Sequence, residues 1–340
     1  MKSRVVVGTC LIVAAVAVLL PLETGRAVQA QNQSQAAESG PPPLVNPLDV
    51  ALLKWYRANK VPTTFPVGKQ PYGLAFDGAN IWAANFASGT VSKLRASDGT
   101  LLGTFAAITA PYGVTFDGAN VWVSGYGGNV VKLRASDGKN LGTFTVTPGP
   151  GWMSFDGVNI WIPNAVSSGN GTVVKLRALD GKNLGSFPVG VGPIAAAFDG
   201  ANVWVTNQTS DLGPGTVTKL RASDGAVLGT FTVGVTPLGI AFDGANIWVA
   251  NRGDGTVTKL RASDGTVLGT FDIVDEPYGI AFDGKNIWVT GSNAVTELRA
   301  TDGKVIGQYY FFQSNATTGI AFDGASVWVS WLNVNAVGKL

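Results

Sequence analysis

Side chains that could catalyse a reaction are scarce in this 340-residue chain. It contains no histidine, so any catalytic triad or metal site that needs an imidazole is excluded. Its single cysteine, Cys10, lies in an apolar N-terminal stretch, and the rest of the chain has no thiol for a disulfide or a nucleophile. Phosphate-binding, dinucleotide-binding and G-x-S-x-G motifs do not occur in the sequence. The remaining candidates are aromatic side chains and carboxylates.

Five aromatic residues stand at positions suited to ligand binding. Within a sequence repeat, Trp152 replaces a glycine that most copies carry, and Trp331 replaces an asparagine that four copies carry. Tyr72, Tyr112 and Tyr278 share a third position, directly after a proline. Together these rings could line the mouth of a central channel and bind a sugar or a planar molecule. The alternative is that they only fill the channel.

Three acidic residues form a second candidate site. Asp254, Asp275 and Glu276 are predicted on facing loops, and oxygen-rich loops can hold a calcium or magnesium ion. Their spacing matches no known calcium loop, and solvated surface charge is the simpler interpretation. The cofactor prediction is therefore a divalent cation or none. The tripeptide that begins at Arg252 reads RGD, an adhesion motif, but three residues match easily by chance.

The elements that must position these residues come from an internal repeat. The sequence FDGAN, or a close variant, occurs seven times at intervals of 39 to 44 residues. Each copy contains four strand signals, and the Asp-Gly pairs between its apolar runs predict tight hairpins. Four-stranded units of this length predict an all-β fold, a seven-bladed β-propeller of antiparallel blades over residues 61–340.

The ends of the propeller are predicted to meet in one blade. The seventh copy has three strand signals and stops at Leu340, so its fourth strand is missing. The stretch VPTTFPVG, residues 61–68, reads as a fourth strand with no unit of its own. We therefore expect this strand to complete the last blade and to close the ring.

Residues that recur in every copy are predicted to build the blades. The Asp-Gly aspartates are expected to cap backbone amides, and arginines three residues before six of them are expected to form exposed ion pairs. The varied loops fall on the opposite face, where function is predicted. A tryptophan in the second strand is predicted to pack one blade on the next: Trp82, Trp122, Trp161, Trp204, Trp248, Trp288 and Trp328.

The N-terminal region is predicted to lie outside the propeller. Residues 1–30 read as a signal peptide, because Lys2 and Arg4 precede an apolar run and small residues follow it. Residues 31–46 are predicted as a disordered linker. Residues 47–59 are predicted as a short helix, either docked on the rim or plugging the channel.

Export and charge narrow the classes of partner. A signal peptide predicts a secreted or periplasmic protein with no stable membrane span after cleavage. Without its first 30 residues, which hold three of the 24 basic and one of the 22 acidic residues, the chain carries no net charge. A chain without net charge gives no indication of nucleic acid as a partner. The expected partner is a small molecule, a glycan or a protein on the variable loop face, and the expected state is a monomer.

The repeated phrase P-x-G-I-A-F-D-G-x-N-I-W-V-A-N, followed by G-T-V-T-K-L-R-A-S-D-G, resembles the secreted YVTN/NHL-type seven-bladed propellers. It is also similar to the streptogramin (virginiamycin B) lyase group. That resemblance implies a lyase with a catalytic histidine and a bound divalent metal, and the lack of histidine argues against this activity here. Related propellers act as lactonases, quinoprotein scaffolds or binding proteins. The fourth strand here reads LGTF, without the tryptophan of quinoprotein repeats.

Three functions are consistent with these observations. The first is a binding or interaction module that uses the variable loop face, with Trp152 and Trp331 as the main candidates. The second is an enzyme, a metal-assisted lactonase or lyase that uses the acidic loop site to polarise a carbonyl or stabilise an enolate. The third is a purely structural envelope protein, since nearly identical blades suit a role in stability alone.

Overall fold

The computed structural model describes residues 63–165, 169–209, 213–273, 275–311 and 316–340. These residues form twenty-eight strands in seven four-stranded antiparallel sheets. No helix lies among them, and hence none that could cross a membrane. The predicted seven-bladed β-propeller is therefore confirmed, while the signal peptide, linker and helix predicted over residues 1–59 lie outside the described residues.

Six blades are built from consecutive strands, numbered from the channel outward. Blade one contains β2 (Pro71–Phe76), β3 (Asn80–Asn85), β4 (Thr90–Arg95) and β5 (Leu101–Ala106). Blade two contains β6 (Pro111–Phe116), β7 (Asn120–Gly125), β8 (Asn129–Arg134) and β9 (Asn140–Thr145). Blade three contains β10 (Ser154–Phe155), β11 (Asn159–Asn164), β12 (Asn170–Arg177) and β13 (Asn183–Val191).

The second half of the ring repeats this order. Blade four contains β14 (Pro193–Phe198), β15 (Asn202–Asn207), β16 (Pro214–Arg221) and β17 (Val227–Val235). Blade five contains β18 (Pro237–Phe242), β19 (Asn246–Asn251), β20 (Thr256–Arg261) and β21 (Val267–Asp272). Blade six contains β22 (Pro277–Phe282), β23 (Asn286–Gly291), β24 (Ala294–Arg299) and β25 (Val305–Tyr310). Blade seven contains β26 (Thr317–Phe322), β27 (Val327–Trp331), β28 (Ala336–Lys339) and β1 (Thr63–Pro66).

Blade seven joins the two ends of the propeller, as predicted. Strand β1 is shorter than the predicted 61–68 and pairs antiparallel with β28 over four residues. The ring of Phe65 lies 5.4 Å from that of Trp328. Every other blade makes the same contact from its own fourth strand, as Phe105 does with Trp82 at 5.6 Å. Strand β1 thus supplies the backbone pairs and the aromatic ring that the other blades supply themselves.

The repeated tryptophans form the interior between blades. Six of the seven are fully buried, and Trp82 packs with Val121 and Val123 of the following blade. The indole nitrogen of each tryptophan donates to an Asp-Gly aspartate, as Trp248 does to Asp243 at 2.7 Å. Those aspartates also accept bonds from nearby backbone amides, and the six predicted arginine–aspartate pairs are present and exposed. The scaffold roles predicted from repetition are therefore confirmed.

A buried lysine connects neighbouring blades, a role that the sequence analysis did not predict. The Lys93 ammonium lies 5.2 Å from the centre of the Trp82 ring and donates to the Ala135 carbonyl of the next blade at 2.6 Å. Lys339 makes the same bond to the Ala96 carbonyl at 2.6 Å, which links the last blade to the first. Pairing with the ring face and carbonyl oxygens compensates the burial of each charge.

Blade six places a glutamate where the other blades have this lysine. Glu297 pairs across the sheet with Trp288, and its carboxylate accepts bonds from Asn286 at 2.8 Å and the Tyr309 hydroxyl at 3.2 Å. Burial raises the pKa of Glu297; the Tyr309 hydrogen bond opposes this, and the nearby charge of Asp283 adds to it. The ionised form is therefore disfavoured in the folded state.

We predict that Glu297→Gln stabilises the protein at neutral pH and not in acid. Because the folded-state pKa of Glu297 is raised, its ionised form lowers the free energy of unfolding. This loss of stability disappears as the pH falls and the carboxylate takes up a proton. The gain at about pH 7 should be less than about 1 kcal/mol, since the half-exposed group is screened by solvent. Urea unfolding of the wild type and the variant at about pH 7 and pH 4 measures this difference in the free energy of unfolding. The matched variant Glu276→Gln should show no gain, and a pH-independent gain for Glu297→Gln would contradict the explanation.

Candidate ligand-binding site at the channel mouth

Four aromatic rings form a continuous row on the varied loop face. Phe86 lies 5.2 Å from Tyr72, Tyr72 lies 5.1 Å from Tyr112, and Tyr112 lies 5.6 Å from Trp152, measured between ring centres. The last two rings are almost parallel, with 6° between their planes. The structure thus brings together three of the five predicted aromatic residues, and we call Phe86, Tyr72, Tyr112 and Trp152 the aromatic row.

The backbone of blade three explains why Trp152 reaches the channel. Blades one and two carry Tyr-Gly after the proline, and a Cβ at Gly73 would lie 2.4 Å from the Tyr112 carbonyl of the next blade. Blade three carries Gly151-Trp152 instead, so the bulky side chain moves by one residue. The backbone of Trp152 pairs in parallel with Ala195, with Trp152 N donating to the Ile194 carbonyl at 2.8 Å. This pairing holds the indole over the mouth.

Below the row lies a cavity of about 140 Å³. Its wall includes Trp152, Gly73, Gly239, Gly279 and Gly319. The four glycines let the backbones of neighbouring blades approach closely around it, since a Cβ at each would lie within 2.4 Å of a carbonyl oxygen of the next blade. Its floor is a ring of apolar side chains: Leu74, Val114, Met153, Ala196, Ile240, Ile280 and Ile320. A dry apolar cavity of about 150 Å³ is large enough for one benzene ring. The cavity therefore fits a single ring of a ligand.

The Trp152 indole supplies a hydrogen-bond donor without a protein acceptor. Its Nε1 atom is buried and makes no hydrogen bond among the described residues, whereas each of the seven repeated tryptophans donates to its aspartate. Burying an N–H group without a partner costs about 1–3 kcal/mol. A ligand oxygen would remove that cost if binding shifts the indole enough to open its N–H to the cavity.

Tyr112 and Tyr278 at the mouth have raised pKa values. Burial raises the pKa of the Tyr112 phenol well above its ordinary value, and the neighbouring phenols of Tyr72, Tyr278 and Tyr126 raise it further. Burial also raises the pKa of Tyr278, opposed by the positive charge of Arg252. These groups can therefore pack against a neutral ligand or donate a hydrogen bond, but they do not act as phenolate bases near neutral pH.

Tyr278 lies at the same mouth but makes no ring contact with the aromatic row, and it pairs with charged loop residues instead. The Arg252 guanidinium lies 4.7 Å from the centre of the Tyr278 ring and forms a 3.0 Å ion pair with Glu276. Asp254, at the end of the RGD tripeptide, accepts a bond from the Val235 amide at 2.6 Å. The charges of this tripeptide thus take part in contacts of the protein itself.

The acidic candidates do not share one site. Asp275 accepts bonds from the amides of Asn293, Ala294 at 2.8 Å and Glu276 at 3.0 Å, while Glu276 pairs with Arg252. Within the described part of the chain, no three His, Cys, Asp or Glu side chains are arranged to hold a metal ion. A calcium or magnesium site stays a prediction from the sequence, without support from these contacts.

The second tryptophan candidate lies apart from the row. Trp331 is 6% exposed and packs on Phe311, with 5.0 Å between the ring centres. It shares a cluster with Val295 of blade six and Val329 of its own blade, so it fills the space between blades six and seven. Phe86 was not among the residues predicted from the sequence. Comparison of the residue after each second strand would have found it, since Phe86 corresponds there to Arg252 in blade five.

The fold and this site define a seven-bladed β-propeller with an aromatic mouth. The protein family described as outer membrane protein assembly factor BamB matches residues 169–323. Virginiamycin B lyase from Staphylococcus aureus is similar in structure, with a TM-score of 0.67, 18% identity and coverage of 82% of this chain and 97% of that one. The structure of its catalytically inactive variant with quinupristin has a TM-score of 0.67 and 18% identity, and covers 82% of this chain and 98% of that one.

A third similar structure is hydrazine synthase from Kuenenia stuttgartiensis, with a TM-score of 0.69 and 16% identity over 84% of this chain and 98% of that chain. No curated protein matches the sequence. At these identities the similarity concerns the fold alone. It agrees with the resemblance to streptogramin lyase-like propellers inferred from the repeat.

Proposed function

We propose that this protein is a binding module whose ligand places a ring in the cavity beneath the aromatic row. The observation that carries the proposal is that Trp152, whose buried Nε1 has no partner in the described part of the chain, lines a cavity of ring size. Within the same residues, Trp331 also has an unpartnered Nε1 but lies between blades six and seven, away from this cavity. The row adds flat apolar surface, and aromatic contacts contribute about 0.5–1.5 kcal/mol beyond burial. The similarity to a BamB family supports an interaction role, and the signal-like N-terminus supports export.

A binding module without catalytic activity has more support than an enzyme. A histidine-to-alanine change gives the catalytically inactive virginiamycin B lyase with quinupristin, and this chain contains no histidine. The aromatic row offers neutral phenols and an indole, none of which is a general base near neutral pH. The ligand is therefore held rather than transformed in this proposal, and quinupristin belongs in a panel of ligands to be tested.

Benzamide is a suitable probe, because it combines one ring with a carbonyl acceptor. We expect saturation-transfer NMR to show binding to the wild-type protein. Trp152→Ala should weaken binding at least tenfold, because it removes the ring contact and the donor. This variant should fold, since Ala195 occupies the same position in blade four. Trp152→Phe should give an intermediate loss, because it keeps a ring but loses the N–H group.

The matched control is Trp331→Asn, which introduces the residue that four other blades carry at this position. It should leave benzamide affinity unchanged and lower stability by about 2–4 kcal/mol, because Trp331 is buried between blades. Equal binding of benzamide to the wild type and to Trp152→Ala, or no binding at all, would overturn the proposal.

A further inference from the structure

A shallow groove of about 570 Å³ continues outward from the Phe86 end of the aromatic row. It runs between the loops of blades one and two and is lined by Phe86, Ala87, Ser88, Ala107, Ile108 and Ala110, among others. These side chains are small, apolar or uncharged. The cavity, the aromatic row and this groove therefore form one path from the channel to the rim.

The two sides of this face differ sharply in charge. Among the described loop residues of blades one to three on this face, Lys69 is the one charged side chain. The facing loops of blades five and six carry Arg252, Asp254, Asp275 and Glu276. The groove lining itself carries no charged side chain, although Lys69 adjoins it through the bond from its amide to Ser88. A charged ligand would therefore lose hydration over the lining without an opposite charge in it. The path thus favours a neutral molecule.

The hairpin that carries Phe86 does not need this residue for its own structure. Residues 85–90 read NFASGT, and the corresponding residues 251–256 of blade five read NRGDGT. Ser88 accepts a bond from the Lys69 amide at 2.7 Å, and Asp254 accepts the equivalent bond from the Val235 amide at 2.6 Å. Both sequences therefore build the same turn, and a half-exposed phenylalanine in blade one is left to contact a ligand.

We propose that the natural ligand is an elongated, uncharged molecule with a ring at one end and an oxygen acceptor beside it. The ring enters the cavity, the acceptor receives the Trp152 N–H, and the rest lies over Tyr112, Tyr72 and Phe86 into the groove. This inference rests on the proposed function, because it assumes that the cavity binds a ring. Beyond that function, it specifies two properties of the ligand, its elongated shape and its lack of charge.

The experiment compares the affinities of three probes that share one ring and differ in their extension. Benzamide tests the cavity alone, N-benzoyl-trialanine amide adds a neutral extension, and N-benzoyl-triglutamate amide adds a charged one. We expect the neutral extended probe to bind at least fivefold more tightly than benzamide in isothermal titration, and the charged probe to gain nothing.

The variant is a hairpin exchange, Phe86→Arg, Ala87→Gly and Ser88→Asp, which gives blade one the sequence of the blade five hairpin. It should remove the extra affinity of the neutral extended probe, so that this probe binds the variant no more tightly than benzamide binds the same variant. Since blade five already folds with this sequence, its melting temperature should stay close to that of the wild type.

The outcomes separate the two proposals. Failure of benzamide to bind the wild type overturns the proposed function, and this inference with it. Benzamide binding without a gain from the neutral extension overturns only the inferred length. An equal gain from both extensions overturns the inferred neutrality, and a gain that survives the hairpin exchange shows that the extension lies elsewhere.

Discussion

Deletion of Thr63–Pro66 should lower the free energy of unfolding by roughly 4–6 kcal/mol, the largest loss expected from a change of four residues. Strand β1 pairs with β28 along its whole length, and Phe65 packs on Trp328. Without it, the fully buried Val337 and Trp328 would lose cover, and the edge of β28 would lose its partner. The melting temperature should fall by about 10 °C or more.

Two controls test whether the effect comes from closure of the ring. Replacement of the exposed Thr63 and Thr64 by alanine should change the melting temperature little, because the backbone pairs and Phe65 remain. A synthetic peptide of residues 61–70 added to the deletion variant should restore stability in a concentration-dependent manner. An unchanged melting temperature on deletion would show that the other blades hold the ring closed without β1.

Asp243→Ala should cost about 3–5 kcal/mol, although it changes a residue in a surface turn. The Asp243 carboxylate accepts bonds from the Trp248 indole at 2.7 Å, from the Ala245 amide at 2.9 Å and from the Asn246 amide at 2.6 Å. Trp248 is fully buried, so the alanine variant leaves its N–H without a partner. Urea unfolding near neutral pH measures the loss.

The same blade provides a matched control in Asp264→Ala. Asp264 also stands in an Asp-Gly turn, but its side chain is 50% exposed and pairs with the exposed Arg261. Its removal should change stability little because solvent screens this exposed pair, although hydrogen bonds from Thr266 and Arg261 lower the pKa of Asp264 to about 2. Equal losses from the two variants would contradict the importance of the indole bond.

The pH dependence of the Asp243 effect follows from its pKa. Burial alone would raise the pKa of Asp243, but hydrogen bonds from Trp248, Asn246 and two backbone amides together lower it below its ordinary value. A carboxyl group with a lowered folded-state pKa stabilises the protein above its unfolded-state pKa, about 3.9, and loses this effect as pH falls through the folded-state value. The difference between wild type and Asp243→Ala should therefore shrink below about pH 4.

The sequence by itself determined the scaffold. Its repeat length, Asp-Gly turns and recurring tryptophans predicted seven blades, and the isolated strand signal at residues 61–68 predicted that β1 completes the last blade by pairing with β28. These features are predictable because they depend on neighbours along the chain, where strand alternation and turn chemistry repeat in every copy. The lysine bonds between blades escaped prediction, since a lysine in a strand gives no sign of which carbonyl it will reach.

Only the tertiary structure decided which of the unusual residues meet. Trp152 and Trp331 looked alike as departures from the repeat, but the first stacks on Tyr112 and the second packs on Phe311 between blades. Phe86 joined the row because the ring arrangement places its hairpin beside Tyr72. Side chains from different blades come together through the rotation of blades about the channel and the direction of each side chain, and neither is written in the spacing of the residues.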